Sequence, residues 1–179
     1  MTQERRSHST EFRTKGRRLE GYAAVFGTET RIGDSFTETI APGAFAASLA
    51  SGRDILALAD HDPARVLGRT RSRSLRLAED GHGLAFEIDL PDTQAARDVL
   101  SLAERGDLGG MSFGFVATDD HRDGNRRELR AVELHEISVV SAWPAYPGTI
   151  INARAQVRPP LLLAHARRVV RITEAMKWG

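Results

Sequence analysis

A serine, a histidine and a carboxylate along this sequence have the side-chain types that a hydrolytic site requires. Ser112 lies within Gly109–Phe115 (GGMSFGF). In a strand, alternation places Met111, Phe113 and Phe115 on one face and Ser112 on the other with Gly114. The large apolar residues would pack in the core, while the small ones leave open space on the opposite face, where a substrate backbone could approach. Ser112 is therefore a candidate nucleophile, although a small residue on a solvent face would give the same pattern.

His61 is the candidate general base for that serine. It follows the apolar run Ile55–Leu58 and precedes Asp62-Pro63, which is a turn signal. A neutral imidazole beside a serine can accept its proton as the oxygen attacks. A structural histidine at a strand end is the alternative. His135 is the other histidine in a predicted strand, and the remaining four fall in tails, turns or a charged loop: His8, His82, His121 and His165.

The third candidate lies in the run Leu134–Val140 (LHEISVV). A carboxylate can orient a histidine by accepting the proton on its far nitrogen. Alternation predicts that His135 shares the core side with Ile137, whereas Glu136 points to the side on which Ser112 would lie. A one-residue bulge would exchange the two faces, so His135 stays as the alternative third member.

Short strands must position these side chains. The periodicity of apolar residues and the turn signals between them predict about seven short strands with two or three helices. Pro42 is predicted to open a short helix, and Asp92 to cap a longer one that ends at Gly106. This element order indicates a mainly β fold with helices (α+β), arranged as a barrel or sandwich, and not a repeated βαβ pattern.

The composition is that of an ordinary globular chain of 179 residues, for which one domain is the default. The absence of cysteine excludes disulfides, thiolate catalysis and cysteine metal sites. The N-terminus has no apolar region typical of a secretory signal, and the aliphatic run Leu161–Ala164 is too short to span a bilayer. We therefore expect a protein that works in a cytoplasm or in a particle assembled there.

Positive charge is concentrated at the two ends. Residues 1–18 carry six basic and two acidic side chains, and residues 154–179 carry six and one, although the net charge of the chain is only +1. We expect a flexible basic N-terminal segment over residues 1–17, a catalytic domain over 18–153, and a basic C-terminal tail over 154–179 whose pattern resembles that of a helix. The ends are either solvated tails or contacts for something acidic.

Several sequence blocks occur in the order found in one known family. The blocks are Gly21–Gly27 (GYAAVFG), Ile40–Phe45 (IAPGAF), His61-Asp62 with Leu67–Thr70 (LGRT), Leu90–Thr93 (LPDT), Met111–Phe115 (MSFGF), Glu136–Val140 (EISVV) and Pro144–Pro147 (PAYP). Together they resemble the prohead maturation proteases of tailed phages, which are related to the herpesvirus protease assemblin. The resemblance covers about 70% of the chain, roughly residues 21–149.

The resemblance implies an assemblin-like β-barrel surrounded by a few helices. It implies a serine endopeptidase with Ser112 as nucleophile, His61 as base and Glu136 as third member, and with no cofactor and no metal. The assemblin branch uses a second histidine as third member, which again leaves His135 open. The turn after the last strand is a candidate source of oxyanion donors, namely the backbone N–H groups of Ala145, Tyr146 and Gly148.

The resemblance also implies the partners. The substrate would be the major capsid protein or scaffold, cut inside the prohead in the cytoplasm of a bacterial host, and such proteases commonly cut themselves. Self-association is possible, whereas no membrane and no specific nucleic acid is expected. Rival readings are a non-catalytic capsid-assembly protein, a nucleic-acid-binding module using the basic ends, and a metal site at His61 and Asp62. The basic ends lack the interleaved aromatic residues typical of a nucleic-acid-binding module. The sequence also has no pair of histidines at the spacing of metal ligands.

Overall fold

The computed structural model describes residues 3–8, 12–15 and 17–142. These residues form eleven strands and two helices. In chain order the elements are β1 (Glu4–His8), β2 (Phe12–Lys15), β3 (Arg18–Val25), β4 (Thr30–Ile32), β5 (Phe36–Ile40), α1 (Ala46–Ala50), β6 (Leu56–Ala59), β7 (Asp62–Arg69), β8 (Leu75–Glu79), β9 (Gly83–Asp89), α2 (Gln94–Arg105), β10 (Gly110–Asp123) and β11 (Arg126–Val140).

The strands are divided between two sheets. One has seven strands, with the path β1-β10-β11-β5-β4 and with β6 and β7 attached through β11; the other has four, in the order β2-β3-β9-β8. The mainly β, α+β class is confirmed. The expected barrel is not, because the strands of the four-stranded sheet pair only with one another and the two described sheets do not close into one ladder.

The core follows from the alternation in β10. Met111, Phe113 and Phe115 are completely buried, as the sequence predicts for one face of this strand. The Phe113 ring stacks on Phe115 with centroids 5.1 Å apart and meets the edge of Phe45 at 5.6 Å. Burying a side chain of this size stabilises the fold by about 1.5–3 kcal/mol, so these rings fix β10 firmly against the core.

The two helices differ from the prediction only at their starts. The Thr93 hydroxyl, not Asp92, caps α2 by accepting a hydrogen bond from the Ala96 N–H at 3.4 Å. Asp92 instead pairs with Arg97 at 2.7 Å. Gly106 ends the helix in the left-handed conformation (φ 74°), as predicted. Before α1, the Glu79 carboxylate accepts a hydrogen bond from the Phe45 N–H at 3.0 Å. No helix in the described part of the chain is long and apolar enough to cross a membrane.

Strands occur within the N-terminal segment that the sequence analysis treats as flexible. β1 pairs antiparallel with β10, with Arg6 opposite Phe113, and β2 pairs with β3. β1 covers an edge of β10 that would otherwise present unpaired backbone groups, which explains why this polar segment is ordered. The predicted tail over residues 154–179 and the turn proposed to supply oxyanion donors lie outside the described residues.

Candidate active site

His61 stands in a tight turn between two paired strands. β6 ends at Ala59 and β7 begins at Asp62, and these two residues face each other in the ladder. The two residues between them, Asp60 and His61, both have positive φ (53° and 59°), which is the geometry of a two-residue type I′ hairpin. This conformation costs a residue other than glycine roughly 1–2 kcal/mol. The surrounding structure must therefore hold His61 in place.

Asp60 supplies that support. Its carboxylate accepts hydrogen bonds from the Ser141 N–H at 2.7 Å and from the Ser141 hydroxyl at 3.0 Å, just beyond the end of β11. Arg65 donates a further bond to it at 2.7 Å. The turn is thus tied both to β11 and to the following strand. The imidazole is consequently presented from a fixed backbone.

Glu136 on β11 contacts the imidazole directly. Its Oε1 lies 2.6 Å from Nδ1 of His61, and its Oε2 accepts a hydrogen bond from the Ser138 hydroxyl at 2.6 Å. The side chain of Glu136 is only 6% exposed and that of His61 17%. An ionised carboxylate can only accept at this contact, so in the neutral imidazole Nδ1 carries the proton and Nε2 is left as an acceptor.

His135, the alternative third member, lies elsewhere. Its Nε2 is 3.2 Å from Glu133, and its side chain is 30% exposed. His135 is skipped in the register of β11, because Glu136 faces Gly114 and Leu134 faces Phe115, which is a β-bulge. The bulge puts both Leu134 and Ile137 in the core, so the predicted position of His135 on the core side is wrong. Glu136 lies on the face opposite Ile137, as predicted, and contacts His61.

Ser112 lies on the neighbouring strand and is fully buried. It faces Ser138 across the β10–β11 ladder, and directly opposed residues direct their side chains to the same face. Ser112 and Ser138 thus share the face of Glu136. The prediction that Ser112 lies on an open outer face is wrong, however. Its hydroxyl donates a hydrogen bond to the Arg6 carbonyl of β1 at 2.7 Å. The N-terminal strand occupies the space beside the candidate nucleophile.

Gly114 makes room for the Glu136 side chain. The two residues face each other in the ladder, and a Cβ on Gly114 would lie 2.5 Å from Oε1 of Glu136 and 2.7 Å from Nε2 of Gln3. From the sequence, this space is expected to admit an approaching substrate backbone. In the structure the carboxylate that holds His61 fills it.

A methyl group at Gly114 is therefore expected to separate Glu136 from His61. We expect Gly114→Ala to destabilise the fold by about 1–3 kcal/mol, as overpacking does, and to displace the carboxylate. Thermal unfolding and the NMR signal of the Nδ1 proton of His61 would report the two effects. Gly81→Ala is the matched control, because nothing lies within 4 Å of a Cβ built there. An unchanged Nδ1 proton signal in Gly114→Ala would contradict this role.

Two further residues support the site and are not among those predicted from the sequence. Asp60 anchors the turn of His61, and Ser138 holds the second oxygen of Glu136. Asp-His is not a recognisable hairpin dipeptide, since such turns favour Asn-Gly or Asp-Gly. The alternation of β11 does place Ser138 on the side of Glu136, and that was the available signal.

No cluster of metal-ligating side chains occurs in the part of the chain that the structure describes. Among residues 3–8, 12–15 and 17–142, no group of three or more His, Cys, Asp or Glu side chains could hold a metal ion. Glu136 and His61, which are in contact, and Ser112, on the same face as Glu136, have the side-chain types of acid–base and nucleophilic chemistry.

Comparison with known proteins identifies the family. No curated protein and no solved structure matches the chain. Residues 3–159 match the model of the caudovirus prohead serine proteases. This range includes β1, the turn that carries His61 and the strands that carry Ser112 and Glu136. The chain, a serine peptidase, belongs to the caudovirus prohead serine protease family.

Proposed function

We propose that the protein is an endopeptidase with Ser112 as nucleophile, His61 as general base and Glu136 as the group that orients His61. The observation that carries the proposal is the 2.6 Å contact between Glu136 and Nδ1 of His61, which leaves Nε2 to accept a proton. Ser112 supports it as the serine on the adjoining strand and on the same face as Glu136.

In this mechanism the Ser112 Oγ attacks the scissile carbonyl carbon and its proton passes to Nε2 of His61. Collapse of the tetrahedral intermediate breaks the C–N bond, and His61 returns the proton to the leaving amine. Water then attacks the acyl-enzyme, again with His61 as base, and releases Ser112. Glu136 balances the imidazolium throughout. The backbone N–H groups of Ala145, Tyr146 and Gly148 are proposed oxyanion donors.

The proposed substrate is the major capsid protein or scaffold of a tailed phage or phage-like particle, cut inside the prohead in the bacterial host. Family membership supports this substrate. The protein is also proposed to cut its own chain. The basic residues of the C-terminal segment favour an acidic partner in the prohead, such as a scaffold segment, whereas Arg6, Arg17 and Arg18 near the N-terminus already pair with carboxylates of the chain.

Co-expression with the capsid and scaffold proteins of the same genome tests this function. Intact-mass spectrometry should find a shortened capsid or scaffold protein, and the mass difference identifies the bond that is cut. Uncut proteins beside a folded wild-type chain would contradict the proposal.

The third catalytic position is expected to be Glu136. Glu136→Ala should lower turnover strongly and leave measurable residual activity, since the third member matters less than the nucleophile. His135→Ala should retain turnover and change stability only slightly, because its side chain contacts Glu133 and is 30% exposed. Turnover of both folded variants on one substrate decides the matter. A crippled His135→Ala beside a healthy Glu136→Ala would reverse the assignment.

The basic C-terminal segment is proposed to dock the protease in the prohead or to be removed by self-cleavage. A chain ending near Arg158 should fold and cut a peptide but be packaged poorly. Circular dichroism, peptide cleavage and the protease content of purified proheads would measure the three properties. Normal packaging would exclude docking, and an unfolded product would place the segment in the core.

A further inference from the structure

β1 lies along the outer edge of the strand that carries Ser112. The sheet ends in the order β1-β10-β11, so β1 is the neighbour of β10 on the side away from Glu136. Its register places Arg5 opposite Gly114 and Arg6 opposite Phe113. The Arg6 carbonyl accepts the Ser112 hydroxyl at 2.7 Å, and Ser112 has no exposed surface. While β1 is in place, no other peptide can reach this edge.

The Arg6 side chain enters a pocket built by other parts of the chain. Its Nε lies 2.5 Å from Oε1 of Glu38, and its second nitrogen lies 3.0 Å from Oε2 of the same carboxylate. The guanidinium carbon stands 5.4 Å from the centre of the Phe115 ring. Arg6 is 6% exposed and Glu38 3% exposed. Paired hydrogen bonds to a buried carboxylate recognise the planar shape and the charge of arginine.

Glu38 favours a cation in the pocket when β1 is absent. Glu38 and Asp120 then remain around Arg127, at 3.1 Å and 2.6 Å from its nitrogens, and Arg122 stands 3.4 Å from Asp120. These charges balance, but the buried Glu38 carboxylate has lost the guanidinium of Arg6 that pairs with both of its oxygens. Glu4 of β1 adds an ion pair to Arg127 at 2.6 Å, which ties the strand down further.

We infer that the edge of β10 is a strand-addition site for an extended peptide with a basic residue opposite Phe113, and that β1 is its built-in occupant. Backbone pairing would supply affinity and the Glu38 pocket would supply specificity, as in other β-strand additions. The inference rests on the proposed function in one respect. The residue in the place of Arg6 has its carbonyl beside Ser112, so substrates would carry arginine or lysine just before the scissile bond.

It follows that β1 must leave before a substrate can pair with β10. With β1 docked, the Ser112 hydroxyl is both covered and engaged. A segment of the capsid or scaffold protein with a basic residue in the right place would compete for the same edge. The high local concentration of β1 would keep the free enzyme latent until substrate is abundant, as it is inside a prohead.

The strand exchange can be measured on the full chain. A recognition sequence for a site-specific protease is inserted between His8 and Phe12 of the Ser112→Ala chain. Cutting the folded chain there leaves β1 bound but no longer covalently attached. A fluorescent peptide of residues 3–9 should then exchange with β1, and its fluorescence anisotropy should rise to saturation as the nicked chain is added. The Arg6→Ala peptide should bind at least about tenfold more weakly, because it loses a charged hydrogen-bond pair. The Arg5→Ala peptide is the matched control, since Arg5 is 56% exposed and its ion pair with Oε1 of Glu136 is long, at 3.9 Å. An exposed pair of this kind contributes little, so this peptide should bind within a few-fold of the original.

Hydrogen exchange gives a second measurement that needs no nick. In the intact chain, Arg6→Ala should speed exchange of the β10 amides around Ser112 by about tenfold or more, while Arg5→Ala should not. Equal affinity of the Arg6→Ala and original peptides, absence of binding to a folded nicked chain, or unchanged exchange in Arg6→Ala would each overturn the inference.

These results are separable from the proposed function because binding is measured without catalysis. A nicked chain with Ser112 intact that cuts its substrate but binds no β1 peptide would refute strand addition and leave the protease function standing. A chain that binds the peptide with the expected preference but cuts nothing would support strand addition and refute the proposed protease function.

Discussion

Replacing Ser112 with alanine is expected to abolish cleavage of the capsid or scaffold protein while leaving the fold intact. Loss of a serine nucleophile typically lowers the rate by roughly 10⁴- to 10⁶-fold. The structural cost is small, because the variant loses a hydrogen bond to Arg6 worth about 0.5–1.5 kcal/mol and keeps the packing of Met111 and Phe113. Circular dichroism and initial cleavage rates of the purified chains would measure both effects.

Ser138→Ala is the matched control for this variant. Ser138 faces Ser112 across the ladder and is equally buried, but its hydroxyl supports Glu136. We expect a modest loss of rate, because Glu136 keeps its contact with His61. Cleavage by Ser112→Ala at close to the wild-type rate, or a Ser138→Ala variant as inactive as Ser112→Ala is expected to be, would point to the wrong serine.

The second large effect is expected from His61. A nucleophile and its base act as one unit, so loss of His61 should cost about as much as loss of Ser112, and the double variant should be little worse than either single one. The backbone of residue 61 is left-handed, with φ 59°. His61→Asn is therefore the better variant, because asparagine adopts this conformation more readily than alanine.

Rates of the two single variants and of the double variant form a cycle that measures this coupling. The expected result is a strongly non-additive cycle with all three chains folded. Full activity of His61→Asn would move the base elsewhere, with His135 as the next histidine to replace. Additive losses would show that Ser112 and His61 do not act together.

The local geometry of the site could be predicted from the sequence because it depends on strand alternation. In Glu136–Val140 the period of two puts Ile137 and Val139 in the core and Glu136 on the opposite face, where it meets His61. The bulge at His135 lies outside this pattern, so the predicted core position of that residue is wrong. The same alternation in β10 predicts the buried face of Met111, Phe113 and Phe115. These features need only near neighbours in the chain and one strand register.

The surroundings of Ser112 could not be predicted in this way. The hydrogen bond from Ser112 to Arg6 joins residues 106 apart, and nothing in the polar run Glu4–His8 indicates its partner strand. Edge pairing follows backbone hydrogen bonding, which is common to all sequences, and the buried charges of Arg6 and Glu38 become readable only once both are placed. The same limit applies to closure of the sheets, which depends on non-local pairing.

Covalent trapping of the nucleophile during turnover shows whether Ser112 is the residue that attacks the substrate. A fluorophosphonate probe is added to the wild-type chain while it cleaves its substrate, and the inactivated enzyme is mapped by peptide mass spectrometry. We expect that activity is lost in step with one adduct, located on Ser112, and that His61→Asn reacts far more slowly. An adduct on Ser138 or another serine that accompanies inactivation, or full activity with no adduct on Ser112, would contradict this assignment.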